Sequence, residues 1–305
     1  ILFMKYLQLL IMILNSGLFH TQNTIRVIGH RGCRGIMPEN SISGFEKALK
    51  GGADGIEWDV VVNGEGKLVI SHEPYFHKDF CLDPNGKPIE DEKLYNIYTM
   101  TQTEIEAFDC GSKGNIGFPE QQKHSTRKPL LKDAVVKLKS TIRGKLILFE
   151  IKSEASEYGI SQPHPNAFVD LILKEVATYQ FPNVVYMSFD KNILEALHKK
   201  APELKLAYLT YLPSKSANAY LKELSFKPFA LGMYHKTINQ RKLRQLRDKS
   251  ISVYAWTVNT TDDAHRMMDL GIDAIITDYP KSIIKSRGSY SDRPKKYRTT
   301  GTPSF

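Results

Sequence analysis

Strand–helix alternation constrains this chain more than any other feature. Short β-rich runs fall at Ile25–Gly29, Gly55–Val61, Leu146–Ile151, Val184–Ser188, Leu204–Leu209, Ala230–Met233, Ser252–Thr257 and Asp273–Thr277. Between most of them lie helical patterns: Ser41–Lys50, Leu131–Lys139, Asn166–Tyr179, Asn192–Lys199, Ser216–Leu224, Ile238–Lys249 and Asp262–Leu270. Eight such units predict an α/β fold of parallel strands closed into a (βα)8 TIM-type barrel, with the loops after the strands forming one active face. A doubly wound open sheet is the rival. Its nucleotide-binding forms need a Gly-rich phosphate loop after the first strand, and none is present here.

Two segments depart from the alternation. Lys67–Ser71 reads as a further strand, joined to Gly55–Val61 by Val62-Asn63-Gly64-Glu65-Gly66. That linker is too short for a parallel crossover, and Asn-Gly favours a tight hairpin. Pairing across the turn predicts His72 within about two residues of Glu57 on the ladder. Tyr75–Lys128 is rich in Pro, Gly, Asn and charge and lacks sustained periodicity, so an insertion over the barrel mouth is expected there, with one helix at Thr103–Phe108.

Candidate chemistry gathers at strand ends. His30-Arg31-Gly32 closes the first strand. In Glu57-Trp58-Asp59 the carboxylates stand at i and i+2, which project to the same side of a strand. Buried together in a barrel mouth, they must be paired, protonated or bound to a cation. Leu146-Ile147-Leu148-Phe149 leads into Glu150-Ile151-Lys152, adding an acid and a base. Glu57, Asp59 and Glu150 would make an all-oxygen site suited to Ca²⁺ or Mg²⁺ and poor for Zn²⁺. Arg31 and Lys152 supply positive charge of the kind a phosphoryl group requires, or they pair with these same carboxylates. With His72 as a second imidazole, the set is equipped for phosphodiester cleavage.

The termini and cysteines set the context. Lys5 precedes an apolar run from Tyr6 to Leu14, so residues 1–22 are expected to be a secretory signal peptide or an N-terminal anchor, and residues 23–286 the barrel. The net charge of +9 is concentrated late: Lys281–Phe305 holds seven Lys/Arg and one Asp, or +6, leaving +3 for the rest. A basic excess in a Ser/Thr/Pro-rich end does not indicate nucleic-acid binding. Residues 287–305 are expected to be a flexible basic tail, with weak contact to an anionic envelope surface as its one candidate partner role. Cys33, Cys81 and Cys110 fit no metal spacing; in an exported protein two of them could pair, and the sequence does not choose which.

These motifs together are similar to one known family. His30-Arg31-Gly32, Pro38-Glu39-Asn40, Gly52-Ala53-Asp54, Glu57-x-Asp59-Val60 and His72 resemble the signature of the glycerophosphodiester phosphodiesterases. Glu150-Ile151-Lys152, Ser188-Phe189, Trp256-Thr257-Val258-Asn259, Gly271-Ile272-Asp273 and Ile276-Thr277-Asp278 continue the likeness in order, and the insertion most resembles that of exported members. The resemblance implies His30 and His72 as general acid and base, and Glu57, Asp59 and Glu150 as ligands of a divalent ion. It also implies Arg31 and Lys152 on phosphate oxygens, and Trp256 against the glycerol or leaving group of a small glycerophosphodiester. It further implies attack by a substrate hydroxyl to give a cyclic phosphate that water opens. Ser41 stands where the family often has Thr, and Glu73 follows His72 where Asp is usual. A phospholipase D-like or lysophospholipase enzyme on the same barrel is the enzymatic alternative. It calls for an apolar rim, for which Tyr75, Phe76, Phe80 and Phe118 are the sequence candidates. A non-catalytic envelope-binding barrel is the alternative from another class.

Overall fold

A computed structural model describes residues 25–291 except residues 180 and 182, so the expected leader and residues 292–305 of the tail lie outside the described residues. The strands are β1 (Arg26–Gly29), β2 (Gly55–Val62), β3 (Leu68–Ile70), β4 (Leu146–Ile151), β5 (Val184–Ser188), β6 (Leu206–Thr210), β7 (Ala230–Tyr234), β8 (Ser252–Trp256) and β9 (Ala274–Thr277). The helices are α1 (Ile42–Lys50), α2 (Gln102–Glu106), α3 (Leu131–Leu138), α4 (Pro165–Val176), α5 (Lys191–Lys200), α6 (Ala217–Leu221), α7 (Gln240–Arg247), α8 (Thr261–Leu270) and α9 (Pro280–Ser291).

β1, β2 and β4 to β9 run parallel in the order β1-β9-β8-β7-β6-β5-β4-β2, and β1 also pairs with β2, which closes an eight-stranded barrel. The long final segment of β2 turns at Asn63-Gly64 and pairs antiparallel with β3, Val60 opposite Ile70 and Val62 opposite Leu68. The hairpin read from the short linker is therefore present.

Side-chain parity divides the core in two. Ile28, Leu146, Leu148, Val185, Met187, Leu209, Tyr254 and Ile276 fill the barrel interior. Alternate residues face the helices, where fully buried Trp58 meets Phe45, Phe149 and Phe181 edge-on at 5.8, 6.2 and 6.1 Å. Each such large side chain contributes on the order of 2–3 kcal/mol through burial.

Helix ends follow capping chemistry more than hydrophobic period. Asn239 takes the N-cap of α7, accepting from Lys242 N–H at 3.0 Å, so the helix begins after it and not at Ile238. Ser216 caps α6 in the same way. Leu204 N–H turns back to Ala201 C=O, so β6 starts at Leu206 and not at Leu204. Helix α9 runs to Ser291, past the expected start of the tail at residue 287, and Arg287 Nη1 bonds Asp54 Oδ2 and Ile25 C=O.

The insertion carries a small core of its own. Phe76, Phe80, Ile89, Ile97, Ile105 and Phe108 pack with Val61, Val69 and Leu130 of the hairpin side. Cys81 pairs with Cys110, and Cys33 remains a free, buried thiol. Phe76 and Phe80, expected as rim candidates, are thus interior side chains. No helix among the described residues is long and apolar enough to cross a membrane.

Candidate active site

The parity that packs the barrel interior also builds the site above it. Leu146 and Leu148 point inward, so Glu150 does so two residues later; on β2 Gly55, Glu57 and Asp59 share that parity, and Asp59 pairs in register with Glu150. Glu57, Asp59 and Glu150 are all buried, and each offers an oxygen within 4.8 Å of the others. Among the described residues, Glu57 Oε1 and Asp59 Oδ1 take part in no hydrogen bond. Buried carboxylate oxygens left without donors are costly in a protein alone and suited to a hard divalent cation. The residues present therefore fit such an ion, and it would be held by these three side chains.

The carboxyls respond to one another. Burial, then Asp59 and Glu150, push the Glu57 carboxyl well above its ordinary range, although Arg31 N–H donates to Glu57 Oε2 at 2.7 Å. Burial also opposes ionisation of Asp59, but His72, Arg31, Lys152 and the amide of Asn40 hold its carboxyl below the usual range. Of the two, Glu57 is therefore the carboxyl whose charge the surrounding protein penalises more. Arg31 Nε stands 3.3 Å from Asp59 Oδ2 and its Nη1 2.7 Å from Glu39 Oε1. Lys152 Nζ stands 2.6 Å from Glu150 Oε1 and 3.8 Å from Asp59 Oδ1. Both cations thus pair with the acidic cluster, as the plainer reading of them expected.

The loop after β1 holds its shape through backbone chemistry. Arg31 and Asn40 are left-handed (φ 47° and 52°), and Gly32 has φ 87°. A Cβ on Gly32 would lie 2.8 Å from the Gly44 carbonyl carbon, so the loop lies directly against the start of α1. Asn40, placed by this loop, donates from Nδ2 to Asp59 Oδ2 at 2.8 Å.

Each histidine is held by a carboxylate. His30 Nδ1 is 2.6 Å from Asp278 Oδ1 at the end of β9, and Asp278 also accepts from Arg34 Nε (3.0 Å) and Asn259 Nδ2 (2.7 Å). Burial outweighs Asp278 and lowers the pKa of His30, which favours the neutral ring. With Nδ1–H directed at Asp278, Nε2 keeps a free lone pair. His72 Nδ1 is 2.5 Å from Glu73 Oε1, and backbone pairing of Ser71 N–H with Asp59 C=O fixes the pair beside the carboxylates. Asp278, Asn259, Glu39 and Asn40 fall within motifs already noted in the sequence, but the residues alone gave them no role. Arg34 carried no signal at all.

The opposite half of the mouth is aromatic. Trp256, partly buried at the end of β8, lies 5.4 Å from Phe189 and 5.6 Å from Tyr234, and Phe189 lies 6.1 Å from Tyr211. Tyr211 is 57% exposed and Phe189 36%, so this wall faces the opening. Lys152 Nζ sits 5.9 Å from the Phe189 ring centre and joins the two halves.

The chain is similar in sequence and in fold to known proteins. Residues 30–282 match the sequence profile of the glycerophosphoryl diester phosphodiesterase family. A glycerophosphodiester phosphodiesterase of Bacillus subtilis (strain 168) is 24% identical, over 90% of this chain and 91% of its own length. A crystal structure from Silicibacter pomeroyi DSS-3, assigned to the glycerophosphoryl diester phosphodiesterases, superposes with a TM-score of 0.79 at 28% identity, covering 88% of this chain and 94% of its own. An Oleispira antarctica phosphodiesterase, solved with the product sn-glycerol-3-phosphate, shares the fold at a TM-score of 0.69 and 20% identity, covering 86% of this chain and 96% of its own.

Proposed function

Because the chain belongs to the glycerophosphoryl diester phosphodiesterase family, which hydrolyses glycerophosphodiesters, we propose that it releases sn-glycerol 3-phosphate and an alcohol in a divalent-metal-dependent reaction, with His30 and His72 as acid and base. One observation carries this reading: two carboxylate-backed imidazoles flank a buried triad of carboxylates with unsatisfied oxygens at a single barrel mouth.

In this mechanism a glycerol hydroxyl of the substrate attacks phosphorus. One imidazole Nε2 removes the hydroxyl proton, while the other, protonated, delivers a proton to the departing alcohol oxygen. The P–O bond to the alcohol breaks as the ring closes, giving a cyclic glycerol phosphate. Water then opens that ring with the two imidazoles in reversed roles. A divalent ion on Glu57, Asp59 and Glu150 would supply positive charge to the phosphoryl oxygens. Arg31 and Lys152 add fixed positive charge at the same place, and Asp278 and Glu73 hold the ring tautomers that leave each Nε2 available.

The aromatic wall gives a second reading a specific footing. Phe189, Tyr211, Tyr234 and Trp256 form the apolar rim that a lysophospholipid would need, in place of the buried Phe76 and Phe80. Export belongs to the same proposal: the leader motif predicts it, and a Cys81–Cys110 disulfide suits an oxidising compartment. The basic tail adds the proposal of weak contact with an anionic envelope surface.

The test is release of glycerol 3-phosphate from glycerophosphocholine and glycerophosphoethanolamine, with and without EDTA, beside Glu57→Ala and His30→Ala. Metal-dependent release abolished by both substitutions is the expected result. Turnover of lysophosphatidylcholine but not of the soluble diesters would transfer the assignment to the second reading. Absence of turnover on every substrate, with each ion supplied to folded protein, would overturn both.

A further inference from the structure

The loop after β1 does not satisfy its own backbone. Ile36 and Met37 N–H turn back to Cys33 C=O at 2.8 and 3.0 Å, and Asn40 N–H turns back to Arg31 C=O at 3.0 Å. Among the described residues, the carbonyls of Arg34, Ile36 and Met37 receive no donor from the loop or the barrel. The insertion supplies all three. Gln121 Nε2 donates to Arg34 C=O at 2.8 Å and to Met37 C=O at 2.9 Å, and Gln122 N–H donates to Ile36 C=O at 2.7 Å. The Gln121 side chain is buried, where leaving such groups without partners is costly.

The same segment holds the Arg34 side chain. Phe118, a rim candidate in the sequence, lies under it: Arg34 Cζ stands over the ring, 4.7 Å from its centre. The guanidinium then meets Asp278 with two donors, Nε to Oδ1 at 3.0 Å and Nη2 to Oδ2 at 3.3 Å, while Nη1 stands 3.8 Å from Glu39 Oε2. A two-pronged contact of this kind fixes the plane of a carboxylate as well as its place. Asp278 Oδ1 is also the atom that holds His30 Nδ1 at 2.6 Å. Direct contacts therefore run unbroken from the insertion to the histidine: Phe118 to Arg34, Arg34 to Asp278, and Asp278 to His30. Without Arg34, the Asp278 carboxylate keeps His30 and Asn259 as side-chain partners and loses the pair of bonds that sets its plane.

We propose that Phe118 and Gln121 are positioning residues through which the insertion seats Arg34 on Asp278 and so aims His30 Nε2 at the reaction centre. The inference rests on the reading of His30 as an acid/base residue. The plain alternative is an anchor that adds stability and leaves turnover alone. A third role, direct contact of Phe118 with substrate, would be read in KM.

The test is a double-mutant cycle on the full chain with saturating metal, measuring kcat and KM for glycerophosphocholine in wild type, Phe118→Leu, Arg34→Met and the double variant. Thermal melts confirm folding. Phe118→Leu keeps an apolar side chain without the ring face and should lower kcat about threefold to tenfold with KM little changed. Phe118→Tyr, which keeps the ring face, should retain the wild-type kcat. In the Arg34→Met background Phe118→Leu should lower kcat no further, because the group it acts through is gone. Gln121→Met, of similar length but without donors, should lower kcat about tenfold. Losses that multiply in the double variant, a loss confined to KM, or lower melting midpoints with kcat unchanged would overturn the inference. If Arg34→Met does not fold, Phe118→Leu and Phe118→Tyr are compared alone, and equal kcat in these two would overturn it as well. Wild-type protein inactive on glycerophosphodiesters would overturn the proposed function and this inference with it, so the two failures are distinct.

Discussion

Asp278 Oδ1 lies 2.6 Å from His30 Nδ1, across a sequence separation of 248 residues that the β1–β9 pairing closes. Burial alone would raise the Asp278 carboxyl, but His30 and Arg34 hold it below the usual carboxylate range. The lowered pKa of His30 argues for a neutral ring. The two directions are reconciled by an anionic Asp278 beside neutral His30, since Arg34 and the hydrogen bonds of His30 and Asn259 suffice to keep the carboxylate. Asp278→Asn should therefore preserve the fold, misdirect the His30 tautomer and lower kcat by about 10²-fold. Steady-state kinetics check this. An Asp278→Asn enzyme with wild-type kcat would show that the pair does not serve turnover.

The same pair makes stability depend on pH. Because the folded pKa of His30 is lowered, the unfolded chain takes up a proton that the folded one refuses as pH falls below about 6.5. Asp278 and Glu73, both held low in the fold, are protonated first in the unfolded chain near pH 4. Both effects make the unfolded state bind more protons, so the stability contributed by these three groups is full above about pH 6.5 and declines in two stages below it, while the raised Glu57 carboxyl acts in the opposite sense. Thermal melts from pH 8 to pH 3 should show this. Asp278→Asn should lose less stability than wild type over the lower stage. Equal losses in wild type and Asp278→Asn over that stage would contradict the assignment.

Much of the barrel and its acidic half was legible because period-2 alternation gives a strand its direction. Once Leu146 and Leu148 face inward, Glu150 must follow, and Glu57 and Asp59 obey the same rule on β2. The hairpin was legible from Asn63-Gly64 and a linker too short to cross over. The backing of His30 was not, since it depends on the last strand meeting the first, which no local pattern encodes. Within the insertion, apolar residues without a period gave no inside or outside. Phe76 and Phe80 read as rim residues until the Cys81–Cys110 loop folded them inward.

The disulfide yields a separate prediction. Cys81 and Cys110 are separated by 29 residues, and closing a loop of that size stabilises by about 3–4 kcal/mol in the chain-entropy description. The Cys81→Ser/Cys110→Ser variant should melt lower and be cut by protease within residues 75–128 before the barrel is. Native protein should react negligibly with thiol reagents, because Cys33 is 2% exposed and burial pushes its thiol up to about 12. One thiol should titrate on denaturation without reductant. Three thiols would show that the pair does not form.

Glu57 is where fold stability and function oppose each other. Burial with Asp59 and Glu150 penalises its charge, while a divalent ion would need that charge. In EDTA, Glu57→Gln should be at least as stable as wild type, since a neutral amide can still accept the Arg31 N–H and no longer repels Asp59 and Glu150. Added Ca²⁺ or Mg²⁺ should raise the wild-type melting midpoint, by about 2.7 kcal/mol of added stability at a hundredfold excess over Kd. The variant should show no such rise. The melts read binding without reference to turnover, so they stand even if the chosen substrate is wrong. A Glu57→Gln protein less stable than wild type in EDTA, yet still stabilised by the ion, would mean that Glu57 serves the fold and the cation is held elsewhere.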